Sequence, residues 1–148
     1  EFRARKKHHT PYFRIEPGDE WLVVNEPCVL VQRTTAKEQS RRLMAAELPA
    51  QFIRDAGGVV IENHLNMVKA TRPDPVEPSV LAAFLNSHIV DQLFRCMNGS
   101  VAVSAFELAA LPLPDRSDLA GLHSLVKRGA TKQRIDAECA RLYRKPHA

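Results

Sequence analysis

Short apolar runs rich in β-branched residues alternate with turn residues through the first half of the chain, which predicts strands. The predicted strands cover residues 21–24, 28–32, 59–61 and 65–70, with a shorter candidate at 101–103. The first two runs are expected to form a hairpin or two neighbouring strands, and the run at 65–70 to continue the run at 59–61 or pair with it. Short strands with short connections favour small, mostly antiparallel sheets.

Helical periodicity dominates the second half of the chain. The clearest case is residues 80–97, whose apolar face consists of Leu81, Phe84, Leu85, Ile89, Leu93 and Phe94. Ser79 is the predicted N-cap and Asn98-Gly99 the predicted C-cap of one long packing helix. Shorter helices are predicted at residues 50–56, 104–110, 117–126 and 131–143. These patterns predict an α/β fold of the α+β kind, with small antiparallel sheets, one long packing helix and a C-terminal helical segment.

Composition divides the chain into three parts. Residues 1–11 are basic and poor in apolar residues, which predicts a flexible lead-in. Residues 12–114 form the main domain, and residues 115–148 form the C-terminal helical segment. The proline-rich stretch at 71–78 lies between core-forming segments, so we interpret it as a surface connector. Because the sequence has no initiator Met, we expect it to be a piece of a longer protein.

Overall charge and composition narrow the class of protein. With 45% hydrophobic and 26% charged residues among 148, the chain has the profile of a globular protein. A formal charge of +4 and a pI near 9.2 favour a polyanionic partner. No apolar run is long enough to span a bilayer and no secretory signal is present, so we expect no membrane partner. The scattered cysteines, Cys28, Cys96 and Cys139, are expected to be reduced core residues of a cytoplasmic protein and not metal ligands.

The densest group of polar and charged side chains follows the second predicted strand, where basic residues alternate with residues that carry hydroxyls. The cations are Arg33, Lys37, Arg41 and Arg42, and the hydroxyls are Thr34, Thr35 and Ser40. Cations attract a nucleic-acid backbone, while hydroxyls and backbone amides fix the register on individual phosphates. Thr35 and Glu38 have the spacing of a capping box, which predicts a helical turn beginning at Ala36 with its amides open to an anion. The alternative is a solvated hairpin end or helix face, the usual fate of a charge run.

A second polar group follows the strand predicted at 59–61. Asn63, His64 and Asn66 carry side chains that can pair with adenine or with a phosphate. A local turn with side-chain to backbone hydrogen bonds accounts equally well for Asn63 or Asn66 taken separately. Glu62 is acidic, so we expect it to orient a neighbour such as Arg33 or His64 and not to touch DNA.

The order of four motifs resembles the C-terminal target-recognition region of TaqI-like adenine-specific DNA methyltransferases of restriction-modification systems. These motifs are Arg33-Thr34-Thr35-Ala36-Lys37-Glu38-Gln39 with Arg41-Arg42-Leu43, then Ile61-Glu62-Asn63-His64-Leu65-Asn66, Leu85-Asn86-Ser87 and Leu111-Pro112-Leu113-Pro114. The order carries the resemblance, since each motif is weak alone. The resemblance implies a strand at 43–48, where intrinsic propensities favour helix. Asn86, placed in an apolar helix, is expected to tie that helix to a backbone group.

The resemblance implies that residues 12–114 recognise a double-stranded DNA site for a bacterial N6-adenine methyltransferase. The implied DNA-binding residues are Arg33, Thr34, Thr35, Lys37, Arg41, Arg42, Asn63, His64 and Asn66. The sequence has neither a Gly-rich cofactor motif nor an Asn-Pro-Pro-Tyr-like tetrapeptide, so we expect no catalytic residue and no cofactor in this chain. S-adenosylmethionine is expected in an N-terminal methyltransferase domain of the same polypeptide, which is the second expected partner besides DNA.

Other interpretations stay open. The chain could instead be part of a type I restriction specificity subunit, which the same motif order resembles. A second recognition domain after the helical tail would distinguish such a subunit from a methyltransferase. A protein-interaction domain whose basic stretch binds nothing is distinguished by charge reversal at Arg41 and Arg42. A nuclease has little support, because the carboxylates lie without metal-binding spacing at Asp55, Glu62, Asp74 and Asp91.

Overall fold

The computed structural model describes residues 12–36, 38–71, 75–97 and 99–144. Its strands are β1 (Val23–Val24), β2 (Cys28–Gln32), β3 (Ala45–Leu48), β4 (Val59–Val60) and β5 (Leu65–Val68). Its helices are α1 (Ala50–Ala56), α2 (Pro78–Leu85), α3 (His88–Met97), α4 (Ala105–Ala109), α5 (Ala120–Lys127) and α6 (Lys132–Arg144), with 3-10 turns at Glu20–Leu22 and Arg116–Leu119. The predicted α+β class with small antiparallel sheets is confirmed.

β2 is the central strand of a three-stranded antiparallel sheet, with β3 on one side and β5 on the other. Val31 pairs with Ala45 of β3 and with Asn66 of β5, which fixes both registers. Successive residues of β2 pack on opposite faces of the sheet, so Val29 and Val31 face one apolar cluster and Cys28 faces another. Burial on both faces accounts for the nearly continuous apolar run of this strand.

A separate two-stranded sheet pairs β1 with β4, joining Val23 to Val60 and Val24 to Val59. The prediction that residues 21–24 and 28–32 are paired neighbours is therefore wrong, and β5 neither continues β4 nor pairs with it. Both edges of β2 are occupied by four-residue strands, so the two-residue β1 pairs elsewhere. The predicted strand at 101–103 is a single bridge between Thr34 and Ala102.

The helix predicted over residues 80–97 is broken into α2 and α3 at Asn86 and Ser87. The side chain of Asn86 pairs with both backbone groups of Ala45, accepting from its N–H at 3.0 Å and donating to its C=O at 2.6 Å. The carbonyl of Ser87 then accepts from the N–H of Asp91 at 3.1 Å in the first turn of α3. Asn86 thus has the expected structural role, since its side chain ties the end of α2 to β3.

Two apolar clusters lie against the two faces of β2. The larger cluster includes Phe84, Phe94, Val103, Leu122, Cys139 and Leu142. The smaller cluster consists of Val24, Cys28, Leu48 and Ile53. Because α5 and α6 contribute to the larger cluster, the C-terminal helices share one core with the sheet. None of the described helices combines the length and apolar character needed to cross a bilayer.

The three cysteines are free. Cys28 and Cys139 are buried, as expected of core residues, whereas Cys96 is exposed, so the prediction is wrong for Cys96. Burial raises the pKa of the Cys139 thiol to about 11, so it stays protonated and packs as a small apolar group. Beside it, the ring of Tyr143 stacks on Phe84 with centroids 6.1 Å apart. The hydroxyl of Tyr143 donates to the carbonyl of Pro112 at 2.7 Å, which ties α6 to the extended proline motif.

Candidate nucleic-acid interface

Three segments meet where β2 ends at Gln32. The N–H of Arg33 donates to the carbonyl of His64 at 2.8 Å, and the carbonyl of Arg33 accepts from the N–H of Val103 at 2.7 Å. Residues 33–42, which we call the basic stretch, therefore begin between the turn that precedes β5 and the segment that precedes α4. Capping at Ser104, predicted from sequence, starts α4 directly after this contact.

The next residues of the basic stretch continue along the same segment. The N–H of Thr35 donates to the carbonyl of Val101 at 3.0 Å, and its hydroxyl donates to the same oxygen at 2.8 Å. Thr35 is 2% exposed, whereas its neighbour Thr34 is exposed. Thr35 therefore fixes the path of the backbone and leaves Thr34 at the surface.

Four predicted DNA-binding residues are exposed together at this end of the sheet, and we call them the sheet-end surface: Arg33, Thr34, Asn63 and His64. Nη1 of Arg33 lies 3.4 Å from the backbone oxygen of Asn63, across 30 residues of sequence. The surface thus presents a guanidinium, a hydroxyl, an amide and an imidazole. These are groups that contact phosphates and base edges in protein–DNA complexes.

Glu62 orients His64, as expected from the sequence. Nδ1 of His64 lies 2.6 Å from Oε1 of Glu62, and the backbone N–H of His64 donates to Oε2 at 2.9 Å. That backbone hydrogen bond is the main reason that the pKa of Glu62 lies below its ordinary value. When ionised Glu62 accepts a hydrogen bond from Nδ1–H of the neutral imidazole, Nε2 is left as an acceptor.

Two further predicted DNA-binding residues make internal hydrogen bonds. Nη1 of Arg42 donates to the hydroxyl of Thr35 at 3.2 Å and to the carbonyl of Ala36 at 3.1 Å, which closes the basic stretch on itself. Nδ2 of Asn66 donates to the carbonyl of Val103 at 2.6 Å, linking β5 to the segment beside it. These side chains hold the segments that carry the sheet-end surface.

One turn forms at Ala36, as the sequence predicted, but Thr35 does not cap it. The hydroxyl of Thr35 is bound to a carbonyl 66 residues away, and the N–H of Ala36 donates to Oε1 of Gln39 at 2.9 Å. A single turn closes here, with the N–H of Gln39 donating to the carbonyl of Ala36 at 3.1 Å. The capping-box spacing of Thr35 and Glu38 was misleading, because a tertiary partner takes the hydroxyl. Lys37 lies outside the described residues.

Arg41 binds the carboxyl end of α2. Its Nη2 donates to the carbonyl of Asn86 and lies 3.5 Å from the carbonyl of Ser87. A guanidinium at this position complements the partial negative charge of the carbonyls at a helix end. Since Asn86 in turn holds Ala45, the same helix end fixes both the basic stretch and the start of β3.

Asp91 fixes the end of the basic stretch, a role that the sequence analysis missed. Its Oδ1 accepts from the N–H of Arg42 at 2.6 Å and from the N–H of Leu43 at 2.8 Å, while Oδ2 accepts from Nε of Arg95 at 2.8 Å. Burial raises the pKa of Asp91, but these hydrogen bonds and the Arg95 charge outweigh burial and leave it below its ordinary value. The i,i+4 spacing of Asp91 and Arg95 was the available sequence signal.

Arg95 supplies a second connection, since its Nη2 donates to the carbonyl of Ser40 at 2.7 Å. Helix α3 therefore holds the end of the basic stretch through both Asp91 and Arg95. Residues 33–42 contain four basic side chains and one acidic side chain. In the part of the chain that the structure describes, no group of three or more His, Cys, Asp or Glu residues is placed to hold a metal ion.

Over about four fifths of its length the chain is similar to type II methyltransferases. It is 32% identical to M.BsuBI of Bacillus subtilis over 124 residues, which make up 82% of this chain and 25% of that relative. It is 35% identical to M.PstI of Providencia stuartii over 121 residues, 80% of this chain and 24% of that relative. The chain therefore spans about a quarter of the length of the curated relatives it matches. No family model and no solved structure matches it.

Both relatives are named as type II methyltransferases, which agrees with the methyltransferase resemblance seen in the order of the sequence motifs.

Proposed function

We propose that this chain recognises a specific duplex DNA site for a type II N6-adenine methyltransferase of a restriction-modification system. One observation carries the proposal. Arg33, Thr34, Asn63 and His64 come from two segments of the chain and meet on one exposed surface at the start of the basic stretch. This surface lies in a chain that matches a quarter of two type II methyltransferases.

In the proposed complex, the positive charges of residues 33–42 attract the DNA phosphates, and this attraction does not depend on the DNA sequence. Arg33 offers a planar fork that fits O6 and N7 of guanine, and the amide of Asn63 fits N6 and N7 of adenine. Each bidentate pair of this kind discriminates against a wrong base by about 1–3 kcal/mol. His64 and Thr34 add single contacts to a base edge or a phosphate.

Hydrogen bonds that are buried or partly buried hold the segments carrying the sheet-end surface, and this preorganisation supports the proposed role. Thr35 and Asn66 hold the segments at residues 101–103, and Asp91 holds the end of the basic stretch. A surface that is ordered before binding loses less conformational entropy when it meets DNA. The residues that shape the surface are therefore distinct from those that touch DNA.

Base flipping and methyl transfer from S-adenosylmethionine belong, in this proposal, to the rest of the methyltransferase polypeptide. Adenine specificity and the finer resemblance to TaqI-like enzymes rest on the order of the sequence motifs. The recognition residues then decide which adenine reaches the catalytic site, because flipping requires the duplex to be held in one register.

Mapping of methylated sites by the full methyltransferase polypeptide tests the proposal. We expect N6-methyladenine within one short recognition sequence, and relaxed or lost selectivity in Asn63→Ala and His64→Ala. Arg54→Ala is the matched control, since Arg54 lies on α1 beyond the opposite end of β2. Methylation without a recognition sequence, or the same recognition sequence in all three variants, would overturn the proposal.

A further inference from the structure

The connection between α5 and α6 is strongly basic, and the function proposed above leaves it without a role. Residues 127–134 carry four basic side chains and no acidic one: Lys127, Arg128, Lys132 and Arg134. All four are exposed. We call residues 127–134 the basic turn.

Hydrogen bonds at the end of α5 fix the path of the basic turn. The N–H of Gly129 donates to the carbonyl of Val126 at 3.0 Å. The N–H of Ala130 donates to the carbonyl of Leu125, also at 3.0 Å. The two bonds form a Schellman motif, in which Gly129 takes the left-handed conformation at φ 63°. The basic side chains are therefore carried by an ordered backbone.

The first turn of α6 is joined to the start of α3. Oδ1 of Asp136 accepts from the backbone N–H of His88 at 2.9 Å and from Nζ of Lys132 at 2.7 Å. Burial raises the pKa of Asp136, but its hydrogen bonds and the positive charges nearby, which include Arg41, outweigh burial and leave it below its ordinary value. The basic turn therefore ends beside the first residue of α3.

Arg41 connects this part of α3 to the basic stretch. The N–H of His88 that Asp136 binds belongs to the same peptide group as the carbonyl of Ser87. That carbonyl lies 3.5 Å from Nη2 of Arg41. Arg41 and α6 thus meet at one peptide group, which places the basic turn next to the end of the basic stretch.

The joint between α2 and α3 lies at the same end of the sheet as the sheet-end surface. Asn86, in this joint, binds both backbone groups of Ala45. Ala45 pairs with Val31, and the sheet-end surface begins two residues later, at Arg33. The sheet-end surface, the basic stretch and the basic turn therefore follow one another along this end of the fold.

The two arginines of the basic turn carry charge that no acidic residue offsets. Lys127 and Lys132 each form an ion pair, at 2.7 Å and 2.6 Å from a carboxylate oxygen. Arg128 and Arg134 form no ion pair with any residue that the structure describes. Nε of Arg128 donates to the carbonyl of Ser124 at 3.2 Å, which orients its guanidinium. Exposed cations of this kind bind phosphates and release the counterions of DNA.

Duplex DNA is long enough to reach both surfaces. One helical turn of duplex extends for about 34 Å, whereas three neighbouring strands span roughly 10 Å. DNA held at the sheet-end surface therefore continues past the edge of the sheet, and its backbone carries a charge for about every 1.7 Å of axis.

We propose that Arg128 and Arg134 bind phosphates of the same duplex whose bases the sheet-end surface reads. This inference rests on the function proposed above, and it gives the C-terminal helices a part in DNA binding. Phosphate contacts strengthen binding to every sequence but do not distinguish bases. The basic turn therefore contributes affinity, and the sheet-end surface contributes specificity.

Salt-dependent anisotropy titrations of the full methyltransferase polypeptide test this division. The basic-turn variant, Arg128→Gln/Arg134→Gln, is compared with Arg54→Gln/Arg144→Gln, which removes the same charge. Arg54 lies on α1 and Arg144 at the opposite end of α6, and both are exposed. Each protein is titrated with a duplex that carries the mapped methylation site and with a scrambled duplex. Because all four positions are exposed, both variants should keep the wild-type melting temperature.

In the basic-turn variant, binding to both duplexes should weaken by about tenfold at low salt, with a logarithmic salt slope smaller by about two. The ratio of the two affinities should stay at the wild-type value, and the control variant should change neither quantity. A salt slope equal to that of the control variant would overturn the inference. So would a weaker preference for the methylation site in the basic-turn variant, because it would mean that these arginines read bases.

The wild-type titrations separate this inference from the proposed function. A wild-type preference for the methylation site, together with equal salt slopes in the two variants, overturns the inference alone. Binding without preference for any duplex, together with a smaller slope in the basic-turn variant, supports the phosphate contacts and overturns the proposed function. A wild-type polypeptide that binds no DNA overturns both.

Discussion

The carboxylate of Asp91 accepts a hydrogen bond from the backbone N–H of Leu43 at 2.8 Å, although 48 residues separate the two in sequence. Asp91 is 4% exposed, and its partners include a second backbone N–H and the Arg95 side chain. Loss of any one of these donors would leave the buried negative charge less well compensated and would destabilise the fold. The end of the basic stretch is therefore fixed from α3.

Asp91→Ala should destabilise the protein by about 3 kcal/mol, because it leaves two backbone donors and the Arg95 side chain without their acceptor. Urea unfolding measured by circular dichroism checks this value. Asp115→Asn is the control, since Asp115 is exposed, and it should cost less than about 0.5 kcal/mol. Equal stability of the two variants would show that the carboxylate does not hold the stretch.

The contribution of Asp91 should depend on pH in a defined direction. Its pKa is lowered in the folded state, so its stabilisation is fully present above the ordinary value of 3.8 and is lost as the pH falls through the folded value. The difference in unfolding free energy between the wild type and Asp91→Asn should therefore be constant near neutral pH and shrink below about pH 4. A difference that grows on acidification would contradict the assigned pKa direction.

Asn86→Ala should cost about 2–3 kcal/mol, because the N–H and the C=O of Ala45 each lose a partner at the start of β3. Hydrogen exchange at the Ala45 amide should accelerate in this variant before global unfolding occurs. Asn25→Ala, at an exposed position, is the control and should leave Ala45 exchange unchanged. Unchanged exchange in Asn86→Ala would mean that β3 does not depend on the helix break.

Local patterns predicted the parts of this fold that depend on neighbouring residues. The apolar run of β2, helix α1 and the capped α4 each carry their signal within a few positions. Strand pairing was mispredicted because it depends on distant residues: Val29 pairs with Val68 on one edge of β2 and with Glu47 on the other. No short-range pattern shows that β2 pairs with β3 and β5 and not with β1.

The candidate site likewise contains residues that a local sequence pattern reveals and residues that only the folded structure reveals. The exposed members, such as Arg33 and His64, are recognisable by residue type and motif order. The residues that hold these exposed side chains in place are not recognisable in this way. In the sequence, Asp91 resembles a solvent-exposed acidic residue of a helix, and Thr35 resembles a helix N-cap. Only the tertiary contacts reveal that Arg41 and Arg42 make structural hydrogen bonds.

Glu62→Gln should separate affinity from specificity in the full methyltransferase polypeptide. Removing a negative charge beside the sheet-end surface should raise affinity for a scrambled duplex, while weaker orientation of His64 should lower the preference for the recognition sequence. Competition titrations with both duplexes check this result. Glu47→Gln, at the far end of β3, is the charge-matched control and should change neither quantity. A parallel gain for both duplexes would show that Glu62 acts through its charge alone.

Charge reversal at Arg41 or Arg42 is a poor test of DNA binding, because both side chains bind backbone carbonyls and their loss perturbs the fold. Arg33 is the better choice, since it is exposed and its side-chain contact with Asn63 is long at 3.4 Å. Arg54→Glu changes the net charge equally and lies on α1, away from the sheet-end surface.

The most direct measurement is a fluorescence-anisotropy titration of the 148-residue chain, Arg33→Glu and Arg54→Glu against a duplex of mixed sequence at several salt concentrations. We predict salt-sensitive binding by the wild type and by Arg54→Glu. Arg33→Glu should bind at least about tenfold more weakly at low salt, with a logarithmic salt slope smaller by about one. Absence of wild-type binding at low salt, or equal binding by the two variants, would contradict a DNA-binding role for the sheet-end surface.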